Sequence, residues 1–279
     1  MADWKQQLAT AVVYLTILGY AAASLAYWRH FLKAGQGAGR VPSLILYAAL
    51  AAHTVWLVLE RVSLGYLPIA TAYQAISFMA WGIALAYVAI ELRLVQKVFG
   101  AFIVPVAFLF QAVATASMLA SPAPGELPPI LRSVWFEIHV GASLFSYCAF
   151  AIAFAAGLMH VFLGHELRLK HLRFFFNRMP PLEVLEKINF HAVALGFLFL
   201  TIGLGTGAIW SLQARAGRVL LDAKEVSAVI VWLLYAANVH TRSRLGWRGQ
   251  RTAIFSVVNF ILLFVVFCVT SFVFGAHRF

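Results

Sequence analysis

Ile138–Gly164 reads IHVGASLFSYCAFAIAFAAGLMHVFLG and holds no Asp, Glu, Lys or Arg. An α-helix rises about 1.5 Å per residue, so roughly 20 apolar residues cross the ~30 Å hydrocarbon core of a bilayer. This stretch is long enough to cross a membrane as one helix. Its two histidines, His139 and His160, are its most polar side chains.

Seven further stretches share this freedom from charged residues. The eight predicted spans are Leu8–Tyr27, Val41–Leu59, Ile69–Ile90, Val98–Pro124, Ile138–Gly164, Ile188–Ala214, Val226–Thr241 and Thr252–Ala276. The whole chain is 63% hydrophobic and 11% charged, with a mean hydropathy of +0.87. A soluble domain carries about 25% charged residues. We therefore predict an all-α, polytopic integral membrane helical bundle of about eight transmembrane helices.

The basic residues predict which ends of the helices face the cytoplasm. Cytoplasmic connections carry an excess of Lys and Arg. With both termini outside, fourteen of the 21 Lys and Arg residues fall on the inner side. The sequence thus predicts an N-out, C-out topology. The net charge of +11 then reflects topology and contact with membrane lipid, so no nucleic-acid partner is predicted.

The chain is predicted to be a single membrane domain over residues 1–279, because no linker separates a soluble part from the rest. The two cysteines, Cys148 and Cys268, fall inside spans and do not form a CxxC pair, which argues against thiol exchange. No CxxCH motif occurs, so the chain is not itself a c-type cytochrome. Because no Asp or Glu lies in the eight spans, an ion-coupled transporter built around an intramembrane carboxylate is disfavoured.

Histidines are the candidates for chemistry, since neutral imidazole is the commonest metal ligand and two imidazoles can hold a haem iron axially. His53 and His240 lie within or near the membrane in the second and seventh spans. His139 and His277 lie on the outer side, at the start of the fifth span and after the last. His160 is interpreted as a hydrogen-bonded structural residue. Spacing alone does not pair these side chains.

Eight different short motifs are distributed along most of the chain after Leu46. They are HTVWLVLER at 53–61, GYLP at 65–68, AYQAISFMAWG at 72–82, WFEIHV at 135–140, GFLFLTIGLGTGAIW at 196–210, HTR at 240–242, GWRG at 246–249 and GAH at 275–277. Together they resemble the CcsA/CcmC cytochrome c assembly family, including its HemX-like branch.

The resemblance implies two haem sites made of histidines. His53 and His240 would form the pair within the membrane, and His139 and His277 the pair on the outer face. The implied ligand is haem b, and the implied function is handling or transport of haem in cytochrome c biogenesis, without bond chemistry by the chain itself. The implied partners are haem and other cytochrome c assembly proteins, in a bacterial-type plasma membrane that the chain crosses several times.

The chain departs from the family in the connection between the sixth and seventh helices. Haem-delivering members carry a tryptophan-rich motif there, whereas residues 211–225 read SLQARAGRVLLDAKE and hold no tryptophan. Two alternatives follow. One is a HemX-like regulator whose partner is a soluble haem-synthesis enzyme; the other is a b-type cytochrome that transfers electrons. Because the outer face lacks the aromatic motif, we predict that His53 and His240 hold haem more firmly than His139 and His277.

Overall fold

The computed structural model describes residues 3–33, 40–93, 97–120, 131, 133–170, 174, 176–214 and 223–272. These residues form eight long α-helices: α1 Asp3–Leu32, α2 Val41–Leu64, α3 Ala72–Arg93, α4 Gly100–Ala120, α5 Val134–Arg168, α6 Leu182–Ala214, α7 Ala223–Ser243 and α8 Gln250–Phe272. A single 3₁₀ turn, Lys97–Phe99, precedes α4. The described part of the chain contains no β-strand. The prediction of an all-α bundle is confirmed.

Seven of these helices are long and apolar enough to cross a membrane. Within the described residues α7 does not reach that level, because it carries Lys224 and Glu225 in its first turn and Asn238, His240 and Arg242 near its end. Most helices extend past the charge-free spans that predicted them, as α5 does at both ends. Charged residues end a charge-free run, yet they continue a helix into the interfacial layer. The chain is thus a membrane protein with multiple spans, and its N-out orientation stays a prediction.

The chain divides into two compact units, residues 1–127 and 128–279. In the first unit, α1 packs against α2 and α4, and α3 packs against α4. Large side chains such as Tyr20, Tyr27 and Tyr87 are completely buried there. In the second unit, α5 is the central helix and packs against α6 and α8. The prediction of one membrane domain over 1–279 is untested by this division and stays a prediction.

One acidic side chain lies in the interior of the first unit. The predicted third span stops at Ile90, but α3 continues to Arg93 and buries Glu91. The Tyr27 hydroxyl donates to Glu91 Oε2 at 2.7 Å, the Ser43 hydroxyl donates to Oε1, and Lys97 Nζ lies 3.9 Å from Oε1. A buried carboxylate is stable only with such partners. Helices α1, α2 and α3 and the turn before α4 therefore meet at this carboxylate.

An amide side chain links the helices of the second unit in a similar way. Asn189 of α6 donates from Nδ2 to the Ala153 carbonyl of α5 at 2.7 Å. Its Oδ1 accepts from the Ser256 hydroxyl of α8 at 3.1 Å, and Asn238 of α7 donates to that hydroxyl at 3.1 Å. All four helices of the unit are thus connected through buried hydrogen bonds.

Candidate functional site

The four histidines of the predicted haem sites lie in different parts of the chain. His53 belongs to α2 in the first unit, whereas His139 in α5 and His240 in α7 belong to the second. His277 lies outside the described residues. Because His53 and His240 are in different units, their pairing stays a prediction. The same holds for His139 with His277.

His139 is held by α6 in one orientation. Its Nδ1 lies 2.7 Å from the carbonyl oxygen of Gly203, and since a carbonyl only accepts, Nδ1 carries the proton and donates. In a neutral imidazole the other nitrogen, Nε2, then carries the lone pair. Histidines that ligate metals almost always donate their other N–H to a carboxylate, a backbone carbonyl or water. His139 therefore has the hydrogen-bond pattern of a metal ligand.

Two glycines of α6 allow α5 to come close at His139, and a tryptophan of α6 lies beside the His139 ring. A methyl group added at Gly207 would overlap the His139 ring, and one at Gly203 would come within 2.6 Å of the Ser143 hydroxyl oxygen. The ring of Trp210 lies nearly parallel to His139, with 6.4 Å between ring centroids and 7° between planes. The Gly203/Gly207 spacing thus permits the close helix approach that such small-residue pairs allow. Trp210 was not singled out from the sequence, because its position relative to His139 depends on how α5 and α6 pack.

We expect Gly207→Ala to displace His139 and weaken whatever the ring binds. The added methyl group cannot fit unless the ring or a helix moves. The matched control is Gly205→Ala, since nothing lies within 4 Å of a methyl group at that position. Both variants carry the same change in helix propensity. Equal metal or haem content in the two purified variants would contradict the close fit.

His53 is more deeply buried, with only 1% of its surface exposed, and both ring nitrogens are hydrogen-bonded. The Tyr20 hydroxyl lies 3.0 Å from Nδ1, and the Ser77 hydroxyl oxygen lies 3.0 Å from Nε2. The Ser77 hydroxyl itself donates to Gln111 Oε1 at 2.9 Å. A metal at either nitrogen has to replace one of these two bonds. His53 therefore differs from His139, whose Nδ1–H donates to a backbone carbonyl.

His240 is exposed in the last turn of α7. Two residues later, Arg242 forms an ion pair with Glu186 of α6 and lies over the Phe190 ring at 5.2 Å. Glu186 also accepts from the backbone N–H of Gly249 at 3.1 Å. These contacts tie the end of α7 to the start of α6 and to the loop before α8. They fix the helix that carries His240, while the His240 ring stays accessible.

His160 departs from its sequence-based interpretation. It is 4% exposed, and its buried Nδ1 has no hydrogen-bond partner within the part of the chain that the structure describes. The interpretation of His160 as a hydrogen-bonded residue is therefore wrong for this nitrogen.

A hydrogen bond joins the two ends of the connection between α6 and α7. The Ser211 hydroxyl near the end of α6 donates to Glu225 Oε1 in the first turn of α7 at 2.9 Å. Residues 215–222, which carry most of the tryptophan-free connection, lie outside the described residues.

Comparisons with known proteins agree with the sequence motifs. The family model described as cytochrome C assembly protein matches residues 69–277. The chain is 28% identical over 306 residues to the cytochrome c biogenesis protein CcsA of Thermosynechococcus vestitus, covering 96% of this chain and 93% of the relative. Identity to the protein of that name is 30% over 284 residues in a Synechococcus species (91% and 92% covered). It is 26% over 291 residues in Pyropia yezoensis (91% of each).

The match to the family model includes three of the four candidate histidines. His139, His240 and His277 lie within the matched residues 69–277, whereas His53 lies before them. Those three positions therefore lie in the segment through which the family model matches this chain.

Proposed function

Because the chain belongs to the cytochrome c assembly protein family, we propose that it binds haem b in the membrane and transfers or presents it during cytochrome c maturation. The haem is cargo in this proposal, and moving it needs only the exchange of axial ligands. No bond of the porphyrin is made or broken. The membrane is proposed to be a bacterial-type plasma membrane, and other assembly proteins are the proposed partners.

The hydrogen bond between His139 and the Gly203 carbonyl is the main observation that supports this proposal. It sets the proton on Nδ1 and the lone pair on Nε2, which is the form in which imidazole ligates iron. The imidazole also lies directly against the backbone at Gly207, and the parallel ring of Trp210 lies beside it. A ligand held this way loses little freedom on binding, so less of the binding energy is spent on ordering it.

The other three histidines are the remaining proposed ligands, and they differ in how readily each ring could bind iron. His277 is proposed as the second outer ligand and His240 as a membrane ligand whose ring is accessible. His53 is proposed as a ligand that must first give up a hydrogen bond. On these contacts His139 is the best prepared of the described histidines, which reverses the order of haem retention expected from the sequence. That order is a matter for measurement.

The direct test is an absorption spectrum of the detergent-purified protein together with its haem-to-protein ratio. We expect a Soret band and haem bands typical of imidazole-ligated iron, and recovery of haem when the stripped protein is titrated with ferric haem. A chain that neither retains haem nor binds it on titration contradicts the proposal. Haem that stays bound through repeated oxidation and reduction at a fixed ratio would instead indicate a b-type cytochrome.

A second candidate function is regulation of a haem-synthesis enzyme. It is favoured by one observation, the absence of tryptophan between Ser211 and Glu225, where haem-delivering relatives of this family are expected to carry several. Deleting the gene separates the two functions. Loss of mature c-type cytochromes supports haem handling, whereas unchanged cytochromes with altered abundance of a haem-synthesis enzyme support regulation.

A further inference from the structure

One end of the second unit carries an excess of positive charge. The connection between α5 and α6 meets the connection between α7 and α8 there. Glu186 near the start of α6 pairs with Arg242 near the end of α7, and it accepts from the N–H of Gly249 just before α8. We call this region the basic end, and it comprises residues 165–187 and 240–251. These two stretches hold nine Lys and Arg residues but only three Glu residues and no Asp.

Each glutamate of the basic end already has a partner within the unit. These partners are the backbone N–H groups of Phe174 and Phe176 for Glu166, at 2.7 and 2.6 Å, Lys187 for Glu183, at 2.8 Å, and Arg242 for Glu186. Five exposed cations have no carboxylate partner within the described part of the chain: Arg168, Lys170, Arg244, Arg248 and Arg251. The negative charge that balances these five side chains therefore comes from outside the described part of the chain.

Exposed apolar side chains lie next to these cations. Leu169 stands between Arg168 and Lys170 directly after α5 and is 54% exposed. Leu245 follows Arg244 directly after α7 and is 59% exposed. A bilayer interface suits both kinds of side chain, because leucines contact the acyl chains while long cationic side chains reach the headgroup phosphates. An acidic soluble protein would match the cations but not the leucines at the ends of the helices.

We propose that the basic end binds anionic phospholipids through their headgroup phosphates, in preference to zwitterionic lipids. Clusters of Lys and Arg next to membrane-spanning helices attract anionic lipids. Four of the five cations without a carboxylate partner are arginines, whose planar guanidinium groups donate two parallel hydrogen bonds to a phosphate. The inference goes beyond the proposed function, because it involves no haem.

The test uses the full chain, purified in a neutral detergent. Phosphatidylglycerol and phosphatidylcholine with the same acyl chains are titrated separately, and native mass spectrometry gives a Kd for each lipid. We expect a lower Kd for phosphatidylglycerol. A cation near an anionic surface contributes about a fivefold factor in affinity. The triple variant Arg244→Gln, Arg248→Gln, Arg251→Gln should therefore raise the Kd for phosphatidylglycerol about tenfold or more and leave that for phosphatidylcholine unchanged.

Lys187→Gln is the matched control. It removes an exposed cation from the same end, but this cation is already paired with Glu183. We expect its Kd for phosphatidylglycerol to stay within about twofold of the wild type, whereas Arg248→Gln raises it about fivefold. The double variant Arg168→Gln, Lys170→Gln tests the α5–α6 connection independently and should also raise the Kd. Thermal unfolding of each variant checks that it is folded.

Four results would overturn the inference. Equal Kd values for the two lipids in the wild type leave an acidic soluble protein as the partner of the cations. Unchanged Kd values in both the triple and the double variant exclude this surface. An equal loss in Lys187→Gln and Arg248→Gln indicates a response to net charge alone. Displacement of phosphatidylglycerol by an equal concentration of inorganic phosphate indicates a soluble anion as the ligand.

The outcome is separable from that of the haem experiment. A chain that prefers phosphatidylglycerol through these cations but binds no haem supports this inference and contradicts the proposed function. A chain that binds haem but shows no preference between the two lipids does the reverse.

Discussion

We expect His139→Ala to lower the haem content of the purified chain more than any other substitution of a described histidine. Among the described histidines, His139 is the one whose hydrogen bond and packing match those of a metal ligand. Loss of an outer partner typically lowers metal affinity by about 10- to 100-fold, and loss of the ligand itself is expected to exceed that. The haem-to-protein ratio and the Soret absorbance of the purified variant measure the effect.

His191→Ala is the control for a histidine of the same unit. Its exposed ring bonds only to the Lys187 carbonyl one turn back, at 2.7 Å, so its loss should leave the haem content unchanged. The sequence alone predicts the opposite result, namely that His53 and His240 hold haem more firmly than His139. If His53→Ala and His240→Ala lose haem while His139→Ala keeps a full bis-imidazole spectrum, the assignment of His139 as the leading ligand is wrong.

Replacing Glu91 with Ala destabilises the first unit more than any other single charge removal we consider. The change leaves Lys97 without its carboxylate, and it leaves the hydroxyls of Tyr27 and Ser43 without their acceptor. Breaking a fully buried ion pair costs about 3–5 kcal/mol. The Lys97 side chain is 22% exposed and also donates to Ser43, so solvent offsets part of this cost. We therefore expect a loss of about 2–3 kcal/mol.

Glu183→Ala is the matched control, because Glu183 also pairs with a lysine, Lys187, at 2.8 Å. That pair is mostly exposed, and screening by solvent leaves exposed ion pairs with little net effect on stability. Thermal unfolding of both variants in the same detergent measures the difference. Equal melting temperatures for Glu91→Ala and the wild type would show that the buried carboxylate is not needed for stability.

The helices were predictable because one physical requirement decides them. Backbone groups in lipid must be satisfied internally, so a long apolar stretch becomes a helix whatever its neighbours are. The ends were less predictable, as Glu91 shows. The rule that ended the third span at Ile90 treats every carboxylate as facing water, whereas α3 continues and supplies this one with buried donors.

The candidate site was predictable in its residue types but not in its contacts. Histidines inside apolar spans can be listed from the sequence, as can a glycine pair four positions apart such as Gly203 and Gly207, which favours a close helix contact. Which side chains meet depends on how each helix is rotated about its axis. Tyr20 and His53 are 33 positions apart, and their hydrogen bond follows from that rotation alone.

The hydrogen bond between Ser211 and Glu225 has a consequence for which substitutions the connection between α6 and α7 tolerates. It joins the last turn of one helix to the first turn of the next, so the two helix ends are anchored independently of the residues between them. Both partners of this bond lie outside residues 215–222, so substitutions in that segment leave the bond's donor and acceptor in place. A chain whose segment is mainly aliphatic, as in GRVLLD at 217–222, can therefore keep the same contact between α6 and α7 as a chain whose segment is aromatic.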